Sequence, residues 1–303
     1  MKKVLIIRFS SIGDIVLTIP VVRSVKEQLG VEVHFLTKKS FQKILFLNPF
    51  IDKTYTFQKN ISEIIPELKS EKYDVIIDLH KNFRSKRVKW ALRTPHYFTF
   101  DKLNWEKWLM VNFKINRLPK IHIIERYMKA VAPLGVTLRP LPSMNLEERE
   151  YVVFAIGGAH TTKRLPTQKI IDFCKKIKEP IILLGGKEDA EVGGKVVFSL
   201  EKNNISNQCG KTTLEESAEI IKYAKLVITH DTGMMHIAAF FQKKIISIWG
   251  NTIPDFGMYP YYEDGKDRNT TLEVKNLSCR PCSKIGYDQC PKGHFKCMNE
   301  QTG

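Results

Sequence analysis

The sequence predicts an α/β protein built as two Rossmann-like, doubly wound domains, residues 1–146 and 147–303, facing across a cleft. Three observations predict it. At 303 residues the chain is longer than a single hydrophobic core usually serves. Short apolar runs alternate with amphipathic stretches of helical length, the pattern of parallel strands joined by right-handed crossovers. The pattern breaks once, over residues 132–149, and then restarts.

In the first half, residues 4–7 read as a buried strand, 15–29 as the helix that follows, and 31–36 as the next strand. Residues 61–70 are helix-like, 75–79 form another strand, and 84–92 another helix. Pro133, Pro140 and Pro142, with the charged Glu147-Glu148-Arg149-Glu150, mark the boundary. Beyond it, the strand at 151–156 ends in Gly157-Gly158 and the strand at 181–184 ends in Gly185-Gly186. The strand at 226–229 runs into His230-Asp231-Thr232-Gly233 before an apolar helix at 234–241, and the strand at 245–249 ends at Gly250. Strands ending in glycine or small polar turns describe the carboxyl edge of a doubly wound sheet, where such folds bind ligands.

The charge, 48 Lys and Arg against 32 Asp and Glu, is +16 and implies an anionic partner: nucleic acid, an acidic lipid or lipopolysaccharide surface, or a phosphorylated small molecule. The basic residues are spread along the chain and no DNA- or RNA-binding motif is present, which argues against nucleic acid. The apolar run after Lys2-Lys3 is too short for a signal peptide, and no stretch approaches the roughly 18 apolar residues of a membrane span. The expected location is cytoplasmic, with peripheral contact at the inner membrane as a further expectation, and the six cysteines are expected to be reduced.

Three turns carry chemistry. Ser10-Ser11-Ile12-Gly13-Asp14 follows the first strand, and Gly13 and the turn amides suit an anion or a hydroxyl, while Asp14 reads equally as a helix cap. Asp231-Thr232-Gly233 opens a helix whose first amides, with the Thr232 hydroxyl, suit a phosphate; His236 lies about a turn further on, where a histidine is as often structural. Lys163 and Arg164 follow Gly157-Gly158 and place cations at the same sheet edge, suited to a leaving group that gathers negative charge. The absence of G-x-G-x-x-G at the first turn speaks against a dinucleotide dehydrogenase.

In order along the chain, the opening Ile6-Ile7-Arg8-Phe9-Ser10-Ser11-Ile12-Gly13-Asp14, the block Asp78-Leu79-His80-Lys81-Asn82-Phe83-Arg84-Ser85, Lys163-Arg164-Leu165-Pro166, Cys209-Gly210-Lys211-Thr212-Thr213-Leu214 and Asp231-Thr232-Gly233-Met234-Met235-His236 resemble glycosyltransferase family 9, the ADP-heptose:lipopolysaccharide heptosyltransferases. The resemblance implies a GT-B architecture, an ADP-sugar donor, an acidic glycolipid acceptor, inversion at the anomeric carbon, and no required metal or cofactor. It implies Asp14 as the base. Lys163, Asp231, Thr232, Gly233 and His236 fall on the donor side, with Glu188 on the ribose. Arg8, Ser10, Ser11, Gly13 and Arg84 fall on the acceptor side, with Lys86 beside them. Two positions depart from the family pattern: His80, where many members have Gln, bears on the acceptor, and Leu165, where Trp is common, bears on the donor pocket. Another nucleotide-sugar transferase or a GT-B epimerase is the alternative within the fold.

Two features stand outside these blocks. Cys279, Cys282, Cys290 and Cys297, with His294 among them, offer thiolates for a structural zinc, although the second pair is spaced more widely than in a zinc ribbon. The stretch around Trp90, Phe98, Phe100, Trp105, Trp108 and Phe113, with Lys102, Lys107 and Lys114, is an amphipathic candidate for membrane or glycolipid contact. Residues of this kind at helical spacing also serve as core.

Overall fold

Val4, Leu5, Ile6 and Ile7 are all fully buried. A strand that is apolar on both faces belongs at the centre of a parallel sheet covered by helices. The computed structural model, which describes residues 1–302 apart from 142, 143, 145 and 201–203, places them in β1 (Lys3–Ile7). Pro142 of the expected boundary lies outside the described residues. Strand β1 pairs in parallel with β2 (Glu32–Lys38) and β4 (Val75–Asp78), and the edges are β3 (Lys53–Phe57) and β5 (His96–Thr99), giving the order β3-β2-β1-β4-β5.

The helices of this unit are α1 (Ile12–Val16), α2 (Ile19–Leu29), α3 (Ile65–Ser70), α4 (Phe83–Leu92) and, after an intervening segment, α6 (Ile123–Val131). The single helix expected at 15–29 is two. Pro20 sits in the first turn of α2, where its missing N–H costs nothing, and Thr18 turns its hydroxyl onto the Ile15 carbonyl at 2.7 Å. Pro66 divides 61–70 in the same way, into a 3₁₀ turn and α3. The edge strands β3 and β5 are additions to the sequence reading. Lys53-Thr54-Tyr55-Thr56-Phe57 alternates, burying Tyr55 and Phe57, but is short and flanked by charge.

The second unit contains α5 (Asn104–Phe113), β6 (Arg149–Ala155), α7 (Thr167–Lys176), β7 (Ile181–Leu184), α8 (Ala190–Leu200), β8 (Ile205–Asn207), α9 (Leu214–Tyr223), β9 (Ala224–His230), α10 (Gly233–Phe240), β10 (Ile245–Trp249), β11 (Asn269–Glu273) and α11 (Lys296–Asn299). Its six-stranded parallel sheet has the order β11-β10-β9-β6-β7-β8. The units are not separated by one cut in the chain: the first holds Met1–Lys102 and Ile121–Pro140, the second Leu103–Lys120 and Leu141–Gly303. The α5 segment is tied into the second unit by Lys114 Nζ donating to the Pro281 carbonyl at 2.7 Å and by Asn116 Nδ2 donating to Asp255 at 2.9 Å.

Strand order reverses between β1 and β4 in the first sheet and between β6 and β9 in the second. At such a reversal the two flanking crossovers leave in opposite directions and open a crevice at the carboxyl ends of the strands. The turns after β1 and β4, and those after β6 and β9, are the ones the motifs occupy.

Candidate active site

At the first reversal, Asp14 lies in the first turn of α1 and Arg8 directly follows β1. Arg8 Nη2 meets Asp14 Oδ1 at 2.5 Å, and Asp14 Oδ2 accepts the Ser11 backbone N–H at 3.1 Å and the Ser11 hydroxyl at 2.8 Å. The carboxylate therefore caps α1 and is ion-paired at once. Burial works to raise its pKa, but the Arg8 charge and the Ser11 hydrogen bonds outweigh it and hold the carboxyl below the usual carboxylate range. Asp14 stays ionised throughout the neutral range, with a side chain 22% exposed.

The rest of Arg8 is spent inside the protein. Its Nε donates to the Ser10 carbonyl at 2.8 Å and its Nη1 to the Leu79 carbonyl beyond β4, so one buried guanidinium joins both turns of the switch point to Asp14. Tyr127 of α6 is a member of this site that sequence reasoning missed. It is fully buried, its hydroxyl has no hydrogen-bond partner among the described residues, and it feels the charges of both Arg8 and Asp14. Its only sequence signal was a tyrosine among the apolar positions of α6.

The turn after β4 is shaped by Asp78, fully buried, whose Oδ1 accepts the N–H groups of His80 at 2.9 Å and Lys81 at 2.7 Å while Oδ2 accepts the Tyr97 hydroxyl at 2.6 Å. Asn82 and Ser85 then cap α4 reciprocally. His80 leans on Phe9, ring centroids 4.7 Å apart. Burial, reinforced by Arg8 and Lys102, pushes its pKa down to about 3, so the imidazole is neutral. Arg84, half-buried in the first turn of α4, has no side-chain hydrogen bond or ion pair among the described residues.

At the second reversal, Lys163 Nζ lies 2.6 Å from Asp231 Oδ2 and 3.2 Å from the Asp231 carbonyl, and the Thr252 hydroxyl donates to the same carboxylate oxygen at 2.8 Å. Thr232 is the N-cap residue of α10 and makes no side-chain cap, and Gly233 is its first helical residue. The amides of this first turn have no acceptor within the helix, which favours an anion. Gly158 admits the contact between the turns: a Cβ there would lie 3.2 Å from Thr232 Cγ2. His236 is buried in α10.

Arg164 turns into the protein, donating from Nε to the Gly158 carbonyl at 2.6 Å and from Nη1 to Asp189 at 3.0 Å. Buried Asp189 also accepts the Gly186 N–H at 2.8 Å. A Cβ on Gly157 would sit 2.4 Å from Asp189 Oδ2, so the glycine leaves room for that carboxylate. Burial raises the Asp189 pKa despite Arg164. Thr252 and Asp189 are further residues that the sequence did not single out, and Asp78 stood there only as the first residue of a family block, with no role of its own. Glu188 is exposed, in a 3₁₀ turn after Gly186. Leu165, expected at the donor pocket, is a core residue, 4% exposed, with its N–H donated to His230 Nε2 at 3.1 Å.

In the cysteine segment, Cys279 Sγ is 3.8 Å from His294 Nε2 and Cys282 Sγ donates to the Cys279 carbonyl at 3.1 Å; all six cysteines are free thiols. Among the described residues no group of three or more His, Cys, Asp or Glu side chains is arranged to hold a metal ion. Burial pushes the Cys297 thiol up to about 12 and, with its neighbour Cys279, the Cys282 thiol up to about 11. Of the aromatic stretch, Phe100 is core, edge-on to Tyr127, whereas Trp90, Trp105, Trp108 and Phe113 are exposed. No helix among the described residues is long and apolar enough to cross a membrane.

Two all-parallel Rossmann-like units, each with polar turns at its switch point, define an α/β fold of the GT-B type. The family model of glycosyltransferase family 9 (heptosyltransferase) matches residues 61–289, and the chain belongs to that family. It is 25% identical over 305 residues to lipooligosaccharide heptosyltransferase 2 of Campylobacter jejuni, covering 95% of this chain and 91% of the relative. Its fold is similar to that of the Escherichia coli ADP-heptose lipopolysaccharide heptosyltransferase II, with TM-score 0.72, 19% identity and coverage of 99% and 98% of the two chains. It is also similar to an E. coli heptosyltransferase solved with ADP-2-deoxy-2-fluoro heptose, with TM-score 0.66, 19% identity and coverage of 89% and 92%.

Proposed function

We propose that this glycosyltransferase moves a heptosyl group from ADP-heptose to a hydroxyl of an acidic lipopolysaccharide inner-core acceptor, with inversion and without a metal. The observation that carries the reading is the ionised Asp14, fixed by Arg8 and Ser11 at the first switch point. Asp14 takes the proton of the acceptor hydroxyl as that oxygen attacks the anomeric carbon from the face opposite the donor diphosphate. The bond from the anomeric carbon to the diphosphate oxygen breaks, and its electron pair leaves on ADP.

Charge then accumulates on the diphosphate. Lys163 and the first amides of α10, at Thr232 and Gly233, stabilise it, and Asp231, braced by Thr252, holds the ammonium at that helix terminus until the donor arrives. His236 supports the turn from within α10, and Glu188 holds ribose hydroxyls. On the acceptor side Ser10, Ser11 and Gly13 shape the turn, and Arg84, which has no side-chain hydrogen bond or ion pair among the described residues, receives an acceptor anion. Arg8 is a positioning residue, since each of its three guanidinium nitrogens already has a partner within the protein.

The reading makes the donor machinery independent of the base. In Asp14→Asn, ADP release in the presence of ADP-heptose and acceptor is expected to fall by about 10³-fold, while calorimetric affinity for ADP stays at the wild-type value. Wild-type turnover in this variant, or ADP release from the parent enzyme without any acceptor, contradicts the reading.

A further inference from the structure

The exposed face of α4, apart from Arg84 at its edge, has no role in the chemistry above. Seven residues make nearly two helical turns, so Phe83 and Trp90 share one line along the helix. They are 69% and 59% exposed and meet edge to face, with centroids 6.1 Å apart. Ser85 and Val88, on the opposite side, are fully buried. The aromatic ridge is therefore the outermost part of α4. Lys86 and Arg93 flank it on one side and Arg84 and Arg87 on the other, and no acidic residue occurs from Phe83 to Arg93. Arg87 bonds the Ser62 hydroxyl at 3.0 Å and Lys89 stands over the Tyr97 ring, whereas Arg84, Lys86 and Arg93 have no side-chain hydrogen bond or ion pair among the described residues.

Exposed aromatic rings rimmed by unpaired cations fit the interface of an anionic bilayer, where rings enter the headgroup layer and cations meet lipid phosphates. A protein partner of ordinary composition would leave that cationic rim unmatched. Helix α5 supplies a contrast. Trp105 and Trp108 are also exposed, but they stack on each other, Glu106 lies between them, Lys107 stands over Phe256, and Lys114 is tied to the Val111 and Pro281 carbonyls.

We propose that α4 docks this protein on an anionic phospholipid surface through Phe83, Trp90 and the basic residues beside them. Docking through α4 would hold the turn after β4, at whose end the helix begins, against the layer that carries a lipid-linked acceptor. The inference stands apart from the reaction, because lipid binding is measured without donor or acceptor.

The test is co-sedimentation of the full chain with vesicles of phosphatidylglycerol and phosphatidylethanolamine. Binding is expected, falling as salt rises, and weaker by about tenfold in the double variant Phe83→Ser/Trp90→Ser. The same variant is expected to keep the wild-type circular dichroism and ADP affinity, and Trp105→Ser/Trp108→Ser to keep its vesicle binding. Equal binding of wild type and the α4 variant overturns the proposal, as does equal binding to pure phosphatidylcholine. A dimer in sedimentation equilibrium that the α4 variant abolishes also overturns it, by assigning the ridge to a second copy of the chain.

Discussion

The turn after β1 and the turn after β9 each lie at the carboxyl end of a central strand beside a strand-order reversal, β1 being the first strand of its sheet and β9 the fourth of its own, and at each an aspartate is paired with a cation. They differ in which partner is committed. Arg8 is buried and bonded through Nε, Nη1 and Nη2, so it cannot leave, and Asp14 is the partner that reaches solvent. In the second turn the carboxylate of Asp231 is braced by Thr252, and Lys163 holds it by a single point contact plus a backbone carbonyl. Arginine offers a rigid fork and a permanent charge, whereas lysine is a mobile point charge that changes partners readily. The two switch points thus present an acid in one unit and a cation in the other, as the proposed reaction requires of a base for the acceptor and a counter-ion for the leaving diphosphate.

Within the second pair, removing the cation has the larger effect. Lys163→Met removes the mobile charge where it is needed most, and turnover with saturating donor is expected to fall by about 10²-fold in steady-state assays. Wild-type turnover in that variant would make the lysine a purely structural partner of Asp231. Thr252→Val is the milder counterpart. It leaves the ion pair but removes one hydrogen bond from the carboxylate, and ADP affinity measured by calorimetry is expected to weaken only about threefold. If Thr252→Val costs as much as Lys163→Met, bracing of Asp231 and not the lysine charge governs the donor side.

How much of this was legible in the sequence follows from what each residue bonds. Predominantly apolar strands such as 181–184 and 245–249, the latter interrupted only by Ser247, coincide with β7 and β10 because burial on both faces leaves no alternative. Edge strands β3 and β5 were missed because each is short, opens on an exposed polar residue and has no continuous apolar run. The break between α1 and α2 was written in Pro20, but helical periodicity on either side concealed it. At the candidate site, Asp14, Lys163, Asp231 and Arg84 were readable as residue types at the ends of strands and the starts of helices. Their supports were not. Tyr127 comes from a helix more than a hundred residues from Asp14, Thr252 from a loop beyond the last central strand, and Asp189 fills the space that Gly157 leaves. Whether an arginine such as Arg8 or Arg164 serves a ligand or the fold is decided by partners remote in sequence, the Leu79 carbonyl for one and the Asp189 carboxylate for the other.

The central claim, that Arg8 keeps Asp14 ionised so that it can act as the base, has a direct test in the pH dependence of kcat/KM for wild type and Arg8→Lys. A carboxyl whose folded pKa lies below its unfolded value near 4 works, and adds stability, above that range, and loses both as pH falls through the folded pKa. The wild-type acid limb due to Asp14 is therefore expected below pH 4. Arg8→Lys loses the fork that holds the carboxylate while burial still favours the neutral acid, so the limb is expected to move up by about one pH unit or more, with ADP affinity unchanged. An acid limb at the same pH in both proteins, with the variant folded, would contradict the account.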